Sequence, residues 1–200
     1  MRFELPRAVR GRAEAMGEAG RAWLEGLNTA VADLEARWSL RTGATLTGGS
    51  ESLVLEAERA DGRGAVLKLG LPGSARLATE ARILELADGR GYARCYASCP
   101  ETNAVLLERL GAPLATYRPA AEGSGAHDAM LCATLLEAWH PLAANPGLTT
   151  GAEKARWLAE FVESRWQRLG TPCSRDLVDR ILARCAERDA AHDDARCVLV

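Results

Sequence analysis

Lys68 and Glu80 are the residues whose types and places most suggest chemistry. The 200-residue chain carries 25 basic residues, and all but Lys68 and Lys154 are Arg. Arg and Lys differ in shape and hydration, so a Lys inside a regular element of so Arg-rich a chain calls for a reason. Lys68 falls in Ala65-Val66-Leu67-Lys68-Leu69, whose alternation reads as a strand. Alone, it reads most simply as a solvated cation on an exposed strand face. Glu80 falls where Leu77, Ala81, Leu84 and Ala87 recur at helical spacing, and it points with them. Alone, it is a carboxylate at the edge of an apolar stripe, reaching for water. Taken together the two change meaning. An inward carboxylate is costly without a partner, and an ammonium held by a carboxylate can be aimed at phosphate oxygens.

That pairing, a strand lysine followed by a helix glutamate, is the ion pair of kinase nucleotide sites. Two further segments fit it. Thr47-Gly48-Gly49-Ser50-Glu51-Ser52 is a turn whose glycines, Gly49 among them, let backbone amides approach an anion, and Ser50 adds a hydroxyl. A plain hairpin turn explains it equally well. Ala104-Val105-Leu106-Leu107-Glu108-Arg109-Leu110-Gly111 is an apolar strand ending in charge, where the backbone from Glu108 to Leu110 can bond an adenine edge. From this segment alone, a core strand with an exposed charged end is the simpler reading. Cys95 and Cys99 lie four apart without a second pair, a poor zinc set. His127-Asp128 and His140-Pro141 lack a nucleophile partner and read as surface and helix-end residues. Trp139, Trp157 and Trp166 have the helical spacing of core residues, which favours packing over ligand stacking.

The elements that must position these residues follow from period and punctuation. Residues 7–37 have helical spacing through Leu24, Leu27, Val31, Leu34 and Trp38, with a break near Gly17–Gly20. Strands are expected over Ser39–Thr47, Leu53–Glu58 and Ala65–Leu69, the last two joined by Asp61-Gly62, a strong hairpin signal. Ser74 can cap a helix ending near Ala87 and closed by Asp88-Gly89. Tyr92–Ala97 and Ala104–Leu110 read as two more strands. Beyond a composition shift at 111–125 the period is helical in three segments, the second capped by Thr150 and the third by Ser174. Arg196–Val200 reads as a short strand.

Composition sets the outer bounds. The net charge of −2 speaks against binding nucleic acid through bulk charge. No run approaches the 18 uncharged apolar residues of a spanning helix. The charged start, Met-Arg-Phe-Glu-Leu-Pro-Arg, lacks the apolar run of a signal peptide and speaks against export by that route. Six cysteines in such a chain read as reduced thiols. A cytoplasmic protein with neither a membrane nor a nucleic-acid partner is the expectation.

The stretch from Gly48 to Gly111 (Leu-Val-Leu-Glu-Ala-Glu, Ala-Val-Leu-Lys-Leu-Gly, Glu80-Ala81-Arg82-Ile83-Leu84, Leu-Leu-Glu-Arg-Leu-Gly) resembles the aminoglycoside and hydroxyurea antibiotic-resistance kinases. Among these it is most similar to the streptomycin 6-phosphotransferases. The helical parts on either side resemble that family too. The resemblance implies an α+β, protein-kinase-like fold: a helical segment over 1–38, a five-stranded antiparallel nucleotide lobe over 39–111, and a partial helical C-terminal lobe over 112–200. It implies ATP and Mg²⁺ as cofactors and an aminoglycoside-like alcohol as acceptor. Lys68 would hold the α- and β-phosphates, Glu80 would orient Lys68, and Glu108–Leu110 would form the hinge. The family's His-Gly-Asp catalytic loop follows a strand like Cys197–Val200. His192-Asp193-Asp194 precedes that strand and does not replace the loop. No catalytic or metal-binding residue is therefore assigned within the 200 residues, and the expectation is a truncated chain, inactive by itself. The alternatives are a non-catalytic nucleotide-binding or partner-binding remnant, and a kinase for another small alcohol.

Overall fold

The helical pattern at the start of the chain breaks at Gly17, whose φ of 67° suits a residue without a Cβ. The break separates α1 (Arg7–Ala15) from α2 (Glu18–Trp38). In this computed structural model residues 3–47, 49–73, 76–116, 125–142, 146–193 and 195–199 are described. The chain forms two units, Met1–Trp139 and His140–Val200.

In the first unit, β1 (Leu40–Thr45), β2 (Ser52–Arg59), β3 (Gly64–Gly70), β4 (Cys95–Cys99) and β5 (Ala104–Glu108) form one sheet in the order β1-β2-β3-β5-β4. Every neighbouring pair is antiparallel. The helix α3 (Arg76–Ala87) joins β3 to β4, and α4 (Ala126–Ala138) follows the sheet. The architecture is the expected α+β one with a five-stranded antiparallel sheet.

Alternation along the strands sorts side chains between two faces. Leu53, Leu55, Leu67, Leu69 and Leu106 are buried with Val9 and Ala13 of α1 and Leu27, Val31 and Leu34 of α2, which form the main core. Val105 lies on the other face, buried against Leu77 and Ala81 of α3. Asn103, in the left-handed conformation at φ 48°, joins β5 to the end of β3. Its carbonyl accepts from Gly70 N–H at 2.8 Å, and its Nδ2 donates to Leu71 O at 2.9 Å.

Several boundaries differ from the sequence reading. The fourth strand starts at Cys95 rather than Tyr92, because Gly89 and Gly91, both at positive φ, prolong the turn after α3. The fifth ends at Glu108 rather than Leu110. Gly20 does not break the helix. A Cβ there would stand 1.7 Å from Ala13 O, so this glycine lets α2 pack against α1. Ser74 and Val200 lie outside the described residues.

In the second unit, α5 (Gly151–Arg168) and α6 (Arg175–Ala190) pack together, and β6 (His140–Pro141) pairs with β7 (Val198–Leu199). Both expected caps form. Thr150 makes a capping box with Glu153, and Ser174 Oγ accepts from Leu177 N–H. The Glu153 carboxyl is held below the usual carboxylate range, mainly by the backbone N–H of Thr150. His140 directly follows Trp139, the C-cap of α4, but it is a buried strand residue, 7% exposed, rather than an ordinary helix-end one. Its pairing with Leu199 is a long-range contact, which local sequence does not announce. Trp139 and Trp157 are also corrections, at 52% and 49% exposed. Helical spacing marks a stripe but does not say what covers it.

Candidate functional site

The sheet face opposite the main core carries the candidate site. Lys68 stands opposite Val54 of β2 and Val105 of β5, and cross-strand partners share a face. α3 lies over part of that face, seated by Leu77 and Ala81 on Val105, with Cys95 and Leu107 partly buried around them. One helical turn after Leu77 this seat brings Glu80 over Lys68. Lys68 Nζ donates to both carboxylate oxygens, at 2.8 Å to Oε1 and 2.6 Å to Oε2. The side chains are 25% and 34% exposed, so the pair is neither sealed in the core nor loose on the surface. An ammonium has three donors, and the third is left over by the carboxylate.

Burial pushes the Cys95 thiol up, and the carboxylates of Glu85 and Glu80 add to the effect.

The turn between β1 and β2 begins where Leu46 N–H donates to Val54 O at 2.8 Å. Gly48 lies outside the described residues. Gly49 sits so close to the returning strand that a Cβ would be 3.2 Å from Ser52 O. Ser50 is exposed, while Ser52 is buried. Glu51 forms ion pairs with Arg12 of α1 and Arg76 of α3. The Arg76 and Arg12 guanidiniums hold its carboxyl below the usual range against a smaller opposing effect of desolvation.

At the far end of the sheet, Glu108 is bound twice to Arg94. Its N–H donates to Arg94 O at 2.8 Å, and its Oε2 accepts from Arg94 N–H at 3.0 Å. The amide of Glu108 is thus engaged in the fold, which leaves its carbonyl and the backbone of Arg109 and Leu110 as the hinge candidates. Leu110 is 64% exposed. Arg109 crosses Gly64, where a Cβ would meet its Cδ at 3.2 Å, and donates to Glu56 Oε1 of β2 at 2.6 Å.

The structure therefore joins Lys68 to Glu80 directly. Gly49 and Ser50 lie in the β1–β2 turn, and Glu108 and Leu110 at the end of β5. Sequence reasoning missed Glu51, Arg12, Arg76 and the Arg109–Glu56 pair. These are ordinary surface charges by type, and only the fold brings them together.

The chain resembles known proteins over most of its length. The family model described as aminoglycoside/hydroxyurea antibiotic resistance kinase matches residues 37–187. A streptomycin 6-kinase of Streptomyces griseus is 36% identical over 163 residues, which are 80% of this chain and 50% of the relative. A streptomycin 6-kinase of Streptomyces glaucescens is 42% identical over 102 residues, 50% of this chain and 32% of the relative. A hydroxyurea phosphotransferase of Kitasatospora aureofaciens is 43% identical over 96 residues, 48% of this chain and 28% of the relative. The chain spans about half, or less, of the length of these curated relatives. The matched stretch runs from the end of α2 through the sheet, the Lys68–Glu80 pair and most of α6, and the chain belongs to the aminoglycoside/hydroxyurea antibiotic resistance kinase family.

Proposed function

We propose that this chain carries the nucleotide-binding part of an ATP-dependent phosphotransferase whose acceptor is a hydroxyl of an aminoglycoside such as streptomycin. The single observation behind this reading is the two-pronged contact of Glu80 with Lys68 on the sheet face that α1 and α2 leave uncovered. Phosphoryl transfer depends on placing charge against phosphate oxygens, with little covalent work for the protein. Glu80 gives Lys68 a fixed direction, and the spare N–H of the ammonium can meet an α- or β-phosphate oxygen. The β1–β2 turn with Gly49 and Ser50 supplies backbone and hydroxyl donors for the same phosphates, and the backbone from Glu108 carbonyl to Leu110 receives the adenine edge. The acceptor class is supported by the two relatives named streptomycin 6-kinase.

Mg²⁺ would supply charge neutralisation between the phosphates. Among the described residues no three His, Cys, Asp or Glu side chains gather into a metal-ligand set. No step is therefore assigned to a metal held by these residues.

Titration calorimetry with Mg-ATP tests the reading. Lys68→Ala is expected to weaken binding about tenfold or more, the scale of a lost charge-assisted contact of about 1.5–3 kcal/mol. Equal affinity in the unaltered and Lys68→Ala chains would remove Lys68 from the site.

A further inference from the structure

Glu51 has a position that a stray surface carboxylate would not need. Its backbone is fixed, because its carbonyl accepts from Leu71 N–H at 3.2 Å just past the end of β3. The next residue, Ser52, opens the β2–β3 ladder opposite Gly70. From that anchor the side chain meets Arg12 near the end of α1 and Arg76 at the start of α3. Arg76 is one helical turn before Glu80. Residues so spaced share a helix face, so α3 is gripped at successive turns by carboxylate–cation contacts, Arg76 to the base of the β1–β2 turn and Glu80 to β3. Its apolar contact with the sheet is centred on Leu77, Ala81 and Val105, and Leu84 and Ala87 are buried further along the helix. The ion pairs act at its first turns, nearest the β1–β2 turn.

We infer that Glu51 is a positioning residue which, by holding Arg12 and Arg76 at once, sets the β1–β2 turn against the helix that carries Glu80. Exposed ion pairs add little to stability one by one, and the function of this one lies in fixing a distance. The inference rests on the nucleotide reading of Lys68 and deepens it: the turn bearing Gly49 and Ser50 keeps its place over the phosphates because Glu51 does.

A charge effect would mimic positioning, since Glu51 is an anion between two cations. Substitutions of opposite charge separate the two. Glu51→Gln removes an anion and Arg76→Met removes a cation, yet both cut the same tie. Positioning predicts that each weakens Mg-ATP binding about fivefold, and that the double variant is no worse than either single one, as expected for partners in one contact. It also predicts faster amide hydrogen exchange over residues 46–52 in both ligand-free variants, with thermal midpoints close to that of the unaltered chain. Affinities that move in opposite directions, or unchanged exchange in the turn, would overturn the role of Glu51. Weakened binding in Lys68→Ala beside unchanged binding in Glu51→Gln would overturn it too, while leaving the nucleotide reading intact. Failure of the unaltered chain to bind Mg-ATP would overturn the nucleotide reading and this inference with it.

Discussion

At the scale of single residues, the identity of the cation matters as much as its charge. Arg is the ordinary cation of this protein, and the proposed nucleotide site has Lys. A guanidinium is planar and matches a carboxylate fork to fork. At position 68 it would engage Glu80 through two parallel bonds and aim the rest of its donors elsewhere. The ammonium is a compact point charge that can face Glu80 and a phosphate together. Cys95, beside this pair, gives a prediction of its own. A thiol whose pKa is raised carries less thiolate at a given pH, and the thiolate is the reactive form. Iodoacetamide at neutral pH should label the exposed Cys132 and Cys173 well before Cys95, as read by peptide mass mapping. Labelling of Cys95 first would show that Glu80, Glu85 and burial do not govern its environment. The Lys68–Glu80 contact was legible in the sequence because two unusual choices, a rare residue type and a charge on an apolar stripe, explained each other. Glu51, Arg12 and Arg76 offered no such clue. In a chain of 25 basic and 27 acidic residues, three more charges do not stand out, and their meeting depends on the path of the chain between them.

At the scale of elements, two glycines of α2 make opposite demands. Gly20 lets the helix backbones of α1 and α2 come together, and a methyl group there would collide with Ala13 O. Gly20→Ala should therefore destabilise the protein by about 1–3 kcal/mol or more, as overpacking does. Gly26 meets nothing within 4 Å of an added Cβ. Gly26→Ala should stabilise it by about 0.5–1 kcal/mol through helix propensity. Urea denaturation of both variants checks this pair, and equal shifts would refute the packing role of Gly20. Helix propensity ranks these two glycines alike, as weak points in a helix, because it sees only the local chain. Sequence reasoning placed the strands well where Gly, Pro or Asp-Gly punctuated them. It missed β6 entirely, since a two-residue strand at His140 has no period to detect and exists only through its pairing with Leu199.

At the scale of the molecule, the helices after the sheet carry apolar residues on their surfaces. Leu131, Leu135, Leu136 and Trp139 are exposed in and just after α4 in the first unit, as are Trp157, Leu158 and Phe161 of α5 in the second. Exposed apolar patches bind hydrophobic dyes and promote association. The chain should bind 8-anilinonaphthalene-1-sulfonate in buffer and show concentration-dependent sedimentation. Leu136→Lys and Phe161→Lys should each reduce both signals while leaving the thermal midpoint near its original value. A dye-silent chain that sediments as one ideal monomer would contradict the exposure of these helices. Their spacing predicted the helices correctly, but burial is a property of what lies alongside, and no pattern within a helix encodes it.

The division of β3 between two environments has a hereditary consequence. Ala65, Leu67 and Leu69 face the core, and Lys68 faces the other way, because strand neighbours alternate. Loss of a single codon between Val66 and Lys68 would reverse that parity for every position on one side of the gap. It would turn an ammonium into the leucine layer and a leucine toward Glu80. Genetic variation in this strand should therefore consist of replacements at constant length, with in-frame deletions confined to the turns.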